Sequence, residues 1–448
     1  MPRQWIAHFN QETRMKSLSI FALTLLCTSA IVAQEKPQAY IGAQIITVAG
    51  PVIDNGVLVV HRGKILAVGR RGEVNIPADA QTRDVAGRVI MPGLIDTHSH
   101  IGGASGADGS SSIQPDVRVM DSFNARDTGL KRALAGGITT VNVMPGSGHL
   151  LSGQTLYLKL RNKFTIDDLL IRDSQGNIAG GIKMANGTNS IRPAPPAPGT
   201  RAKSVALVRE MFLKAQDYRD KVRKAAGDRE RVPPRDLAME AMMDVLDGKR
   251  IVHFHTHRHD DIMTVIRLAK EFNFRVVLQH VSEGWKVADE IAKAGVVGSS
   301  IIVIDSPGGK IEALDNSFRT GGALERAGAV VGFHTDDYIT DSRLFLRSAA
   351  LAVRAGMSRE KALYGLTMAG AIMLDLQKQT GSLEAGKDAD FIILSGDPLS
   401  VYTKVLETHV EGVRVFDLSN PADRLFAVGG YGAGRDQVVH TDEWEDKE

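Results

Sequence analysis

The stretch Arg250–His280, RIVHFHTHRHDDIMTVIRLAKEFNFRVVLQH, decides the fold. Its opening, IVHFHTH, alternates like a strand, DDIMTVIRLAKEF reads as a helix, and RVVLQH is a second strand. Two strands separated by a helix run parallel, because the crossover must carry the chain back to the same end of the sheet. Outward from this unit the pattern repeats. WKVADEIAKAG is a helix, VVGSSIIVI and AGAVVGFHTDD are strands, and SRLFLRSAALAVRAG and SREKALYGLTMAGAIML are helices. Upstream, VIMPGLIDTHSH and GITTVNVMPG are strand-like around the helix ARDTGLKRALAGG, and TRAKSVALVREMFLKAQDYRDKVRKA is a long charged helix. The expected class is α/β, with a (β/α)8 TIM barrel over 92–380 and an open doubly wound sheet as the alternative. Residues 34–91 and 381–430 carry short strands with turn signals such as Asn55-Gly56 and Arg62-Gly63, and are expected to build one composite β-sandwich from both termini.

Composition narrows the function. The chain has 448 residues, 43% of them hydrophobic and 24% charged, which suffices for a sizeable core. Lys and Arg (54) nearly balance Asp and Glu (52), and aromatics are 5%, so neither a nucleic-acid footprint nor a base-stacking surface is expected. Residues 1–33 read as a secretory signal. Met15-Lys16 precedes the apolar run LSIFALTLLCTSAIVA, which ends in small residues at Ala33. Met15 is a candidate true start, and an uncleaved anchor is the alternative. The expected location is periplasmic or secreted, with no stable membrane insertion once the signal is removed. Residues 431–448 read as a frayed tail. The one cysteine, Cys27, lies inside the signal segment, so any metal site must use His, Lys and carboxylates.

The candidate ligands fall at strand ends, where parallel barrels keep their chemistry. His98 and His100 form His-x-His, and residues two apart in a strand face the same side. His253, His255, His257 and His259 alternate strictly, and not all four can serve one ion. His280 closes the next strand 25 residues after His255, and Asp336 follows 56 residues later at the end of VVGFHTDD. Any one of these histidines could be a packed core residue, but ligand types at several strand ends are hard to explain as packing. Lys183, in GIKMANGTN, would ordinarily be solvated. It becomes a ligand only as a carbamate, which requires a depressed pKa. Candidate substrate contacts are His149, Gln154, Arg192, His257 and Asp337, and His334 shares a strand face with Asp336 and could orient a carbonyl.

MPGLIDTHSH, the histidine-rich strand, VLQH, GFHTDD and GSLEAGKDADFIIL together resemble the amidohydrolase superfamily, in its imidazolonepropionase-like branch of metal-dependent hydrolases. The resemblance spans about residues 40–420. It implies a (β/α)8 barrel with a small β-sandwich and a one- or two-metal site. It assigns His98, His100, His255, His280 and Asp336 as metal ligands, with a carbamylated Lys183 bridging two ions and His257 in the pocket. The implied chemistry is metal-activated hydroxide attack on a C–N bond, with Asp336 and His334 as catalytic groups and Asp336 shuttling the proton. Nitrogen and oxygen donors without thiolate suit Zn2+, with Mn2+, Fe2+ and Co2+ also compatible. The implied substrate is a small amide, a dipeptide or an N-acyl amino acid. The alternatives are a mononuclear deaminase and a catalytically inactive barrel acting as a binding protein.

Overall fold

The computed structural model describes residues 36–104, 108–173, 175–191, 198–228, 230–304 and 310–430. The segment expected to be a signal, the expected tail and Arg192 lie outside the described residues. The described residues open with β1 (Gln38–Ile45), β2 (Ile53–His61), β3 (Lys64–Arg70), β4 (Gln81–Asp84) and β5 (Val89–Pro92). The central strands are β6 (Leu94–Ser99), β7 (Ile138–Val143), β8 (Leu151–Gln154), β9 (Leu156–Lys159), β10 (Ile182–Ala185), β11 (Val252–Thr256), β12 (Val276–His280), β13 (Gly298–Ile301) and β14 (Val331–Phe333). The last are β15 (Phe391–Leu394), β16 (Val405–Val410) and β17 (Val413–Asp417).

The first and last strands among the described residues share one eight-stranded sheet, ordered β17-β16-β15-β5-β1-β2-β3 with β4 beside β1. The junction is β15 antiparallel to β5, with Phe391 opposite Pro92. Alternating residues of β1 and β2 feed different apolar clusters. Tyr40, Leu58 and Val60 pack with Phe391 and Ile393, whereas Ala39, Val57 and Val59 pack with Val74 and Ile76. The sheet therefore buries apolar side chains on both faces, as its β-branched composition favours.

The central strands alternate with helices. β10 to β14 run parallel in order, β6 runs parallel to β7, and a parallel bridge from Ser99 to Asp337 joins β6 to the end of β14. One departure from eight uniform parallel strands is clear. β8 and β9, separated only by Thr155, run antiparallel to β10 and β7 respectively. The connection between Val143 and Leu151 is too short for the dozen or more residues a parallel crossover takes, so the chain turns back on itself.

Helix ends follow local chemistry. Asp127 accepts from the Gly129 amide to start Thr128–Ala135, and Thr200 caps the long helix Arg201–Ala225. The GKDAD motif has a packing role: buried Lys159 on β9 bonds Asp388 at 2.7 Å and also reaches Asp390. That buried ion triad fastens the central strands to the terminal sheet.

Candidate active site

Strand register brings the chemistry to one end. Ala185 lies opposite His255, Thr256 opposite His280, and His280 opposite Ile301, which pairs Phe333. The residues at or just beyond the C-terminal ends of these strands therefore share one level. Asp96 tightens the seam between β6 and β14, accepting the amides of Thr335 at 3.1 Å and His98 at 3.2 Å as well as the Thr335 hydroxyl. Burial pushes its carboxyl up to about 7 against those bonds. The Asp336 amide donates to the His98 carbonyl at 2.9 Å. His280 and Asp336 both take left-handed backbone (φ +72° and +50°), a conformation that a surrounding structure must enforce and that concentrates at functional sites.

The result is a compact cluster. Asp336 Oδ1 lies 3.1 Å from His100 Nε2 and 3.3 Å from His98 Nε2. The Lys183 amine is 2.9 Å from His98 Nε2 and 3.1 Å from Met144 Sδ. His280 Nδ1 is 3.1 Å from His334 Nε2, and the other His334 nitrogen meets Ser300 at 3.0 Å. The His255 and His280 ring centres are 4.3 Å apart, and the His257 ring stacks on His280 at 4.7 Å. Three sets of donors each converge within 4.8 Å: His98, His100 and Asp336; His98, His280 and His334; and His255, His257 and His280.

The electrostatics fit metal ligation. Burial holds the His98, His255, His257 and His280 imidazoles well below their usual range, so they are neutral donors. Burial also brings the Lys183 amine down to about 7, against the opposing pull of Asp336. Burial raises the Asp336 carboxyl, but His98 and His100 more than reverse this and hold it well below the carboxylate range. His98 Nδ1, both nitrogens of His255, His257 Nε2 and His280 Nε2 are buried without a hydrogen-bond partner. Each such atom costs about 1–3 kcal/mol. Lone pairs left open on neutral imidazoles around a carboxylate are what a divalent cation takes up, so the residues present fit the group.

Of the residues singled out from sequence, His98, His100, Lys183, His255, His257, His280, His334 and Asp336 come together here. His149 is buried in the turn between β7 and β8. Asp337 accepts from the Ser342 amide at 3.0 Å and from its hydroxyl, and so braces the turn that follows. Gln154 lies away from the cluster: it sits opposite Ile182, donates to the Pro115 carbonyl at 3.1 Å, and lines a surface groove with Arg118 and Glu240. Because β8 is antiparallel, its C-terminal end lies at the wrong end of β10 for substrate contact. His253, first of the alternating histidines, is spent on Tyr157 at 2.9 Å. Sequence reasoning missed Glu312, a carboxylate only 3% exposed, with Oε1 3.6 Å from His255 Nε2. It sits in a single 3-10 turn, Ile311–Ala313, with no motif that would have marked it.

Residues 89–415 match the model of the Amidohydrolase family. The chain is 26% identical over 407 residues to amidohydrolase tasK of Hapsidospora irregularis, covering 82% of this chain but 41% of that protein. It is 23% identical over 374 residues to a 5-methylthioadenosine/S-adenosylhomocysteine deaminase of Symbiobacterium thermophilum, covering 77% of this chain and 82% of that protein. The crystal structure of an amidohydrolase from Thermotoga maritima superposes with a TM-score of 0.79 at 30% identity, covering 85% of this chain and 99% of that one. With the histidine–aspartate cluster, the strand ends that carry it and these matches in agreement, the chain belongs to the amidohydrolase family.

Proposed function

We propose that the chain is a metal-dependent hydrolase that cleaves an amide or peptide-like C–N bond in a small molecule such as a dipeptide or N-acyl amino acid. The observation that carries this reading is the convergence of His98, His100, Lys183, His255, His280 and Asp336 around open, buried donor atoms. His98, His100 and Asp336 would hold one divalent ion, and His255 and His280 a second. Lys183, its amine brought down to about 7 by burial and so in large part unprotonated just above neutral pH, would serve as a shared ligand once carbamylated. The donor set suits Zn2+. When bound, the metal supplies Lewis acidity and lowers the pKa of water in the site.

The chain's own residues do the rest. Asp336, held anionic by His98 and His100, accepts the proton of the attacking water and returns it to the leaving nitrogen. Water thus adds across the C–N bond to give an acid and an amine. His334, fixed by Ser300 and His280, orients the scissile carbonyl. His257, held by Ser282 at 2.8 Å, lines the pocket. Around the site, the seven parallel strands and the antiparallel β8–β9 run close into a barrel in this reading, and the terminal sheet folds over as a sandwich. Its two buried faces support that arrangement. The apolar run ending at Ala33 is read as a signal that would direct export, and N-terminal sequencing of the mature protein, expected to start at Gln34, tests it.

Elemental analysis of purified protein, run with a panel of dipeptides, N-acyl amino acids and adenine-type deaminase substrates, tests the function. One or two Zn2+ per chain with turnover on amides supports it. Turnover restricted to the deaminase substrates moves the reading to deamination. Absence of both metal and turnover leaves a binding protein.

A further inference from the structure

Glu312 is a buried carboxylate beside the site that the mechanism does not use. One oxygen, Oε2, accepts the Thr188 amide at 2.6 Å. The other, Oε1, is buried with no partner and stands 3.6 Å from His255 Nε2, itself without a partner. A buried carboxyl oxygen is not left facing a bare ring nitrogen without cost. The neighbouring backbone is shaped to admit Glu312. Gly187 lies at φ +78°, and a Cβ there would fall 2.2 Å from Glu312 Oε2. The gap to His255 exceeds hydrogen-bond length by about half an ångström. Contacts of this kind are often long before ligand binding and tighten afterwards.

We propose that Glu312 is a positioning residue that accepts a proton-bearing Nε2–H from His255, fixing that tautomer and reserving Nδ1 for the metal. This rests on the metal-site reading above for its purpose but not for its geometry. A ligating histidine ordinarily gives its second N–H to a carboxylate or carbonyl, and loss of that partner weakens metal binding about 10–100-fold. No other described acceptor is bonded to either nitrogen of His255. Glu312 also couples the loop after β10, through Thr188, to the ligand on β11, so that the strand carrying Lys183 and the strand carrying His255 share one brace.

The decisive variant is Glu312→Gln. The Thr188 amide is a donor and requires the Gln carbonyl oxygen, so the Gln NH2 must face His255 and can only donate. The variant keeps the brace and inverts the polarity presented to the ring. Nitrogen-15 spectra of histidine-labelled protein, stripped of metal by chelation and assigned with His255→Gln, read the tautomer directly. The wild type is expected to show His255 as Nε2–H, and Glu312→Gln as Nδ1–H. Zn2+ titration should then show about a 10–100-fold weaker second site in the variant, with the first site unchanged. An Nδ1–H ring in the wild type, or the same tautomer in both proteins, overturns the inference. If the wild type takes up no Zn2+, the metal reading fails, while the tautomer comparison still decides the role of Glu312. Glu312→Ala, which donates nothing, is expected to give a mixture of tautomers and guards against a defect peculiar to the amide.

Discussion

Replacing Lys183 by Met should make the metal-free protein more stable and abolish its chemistry. The amine is fully buried, and its pKa drops from 10.5 to about 7, chiefly through burial. Between those values the unfolded chain binds a proton that the folded chain does not. Folded stability therefore rises with pH across that window, by about 1.4 kcal/mol per pH unit, and the full penalty is present below pH 7. Integrated over the window this amounts to about 5 kcal/mol, an upper figure that already includes the Lys183–Asp336 attraction and that relaxation reduces. Met fills a similar volume with no charge to desolvate. Urea unfolding of chelator-treated wild type and Lys183→Met, in CO2-free buffers at pH 7.0, 8.0 and 9.0, should show the variant more stable by about 2–5 kcal/mol at pH 7. The difference should shrink as pH rises. Parallel stability curves, or a variant less stable at pH 7, would refute the argument that Lys183 is held as a neutral amine. That form matters because only an unprotonated amine can be carbamylated.

Other outcomes follow from particular contacts. Asp336→Asn, isosteric but unable to take a proton, should lower amide turnover at least about 100-fold with an unchanged circular dichroism spectrum. Lys159→Met leaves buried Asp390 without its cation and Asp388 with Lys64 alone, and should cost about 3–5 kcal/mol in urea unfolding. Gly187→Ala combines a positive φ with the collision against Glu312, and should lower stability by more than about 1 kcal/mol while weakening metal uptake. Chelation should lower the thermal midpoint, and Zn2+ readdition should restore it in proportion to the logarithm of free ion.

Much of the site was legible because parallel strands impose a rule. His98, His280 and Asp336 sit at or just past strand ends, and register places those ends at one level, so spacing along the chain translated into proximity. The alternating histidines were harder. His253 and His255 both face inward from β11, yet only His255 reaches the open end, and His253 is spent on Tyr157. The antiparallel run Leu151–Lys159 was invisible to a reading built on strand–helix units, since its signal was a short connection rather than a pattern. The same run explains Gln154, whose position near a strand's C-terminus meant the opposite end of the sheet. Glu312 had no periodicity or motif to mark it: its role comes from the short 3-10 turn Ile311–Ala313 packing against Gly187, a tertiary event that local sequence does not announce. The GKDAD motif marked the family, but its physical work, the ion triad with Lys159, appeared only when residues far apart in the chain met.

The central claim is that two groups of side chains from separate strands hold divalent ions at one end of the central strands. Anomalous X-ray diffraction from Zn2+-loaded crystals, collected above and below the zinc edge, tests it directly. The account expects one peak against His98, His100 and Asp336, and a second against His255 and His280 with Lys183 between them. Zinc found only at surface positions, or absent from the crystal while His98 and Asp336 stay in contact, would contradict it.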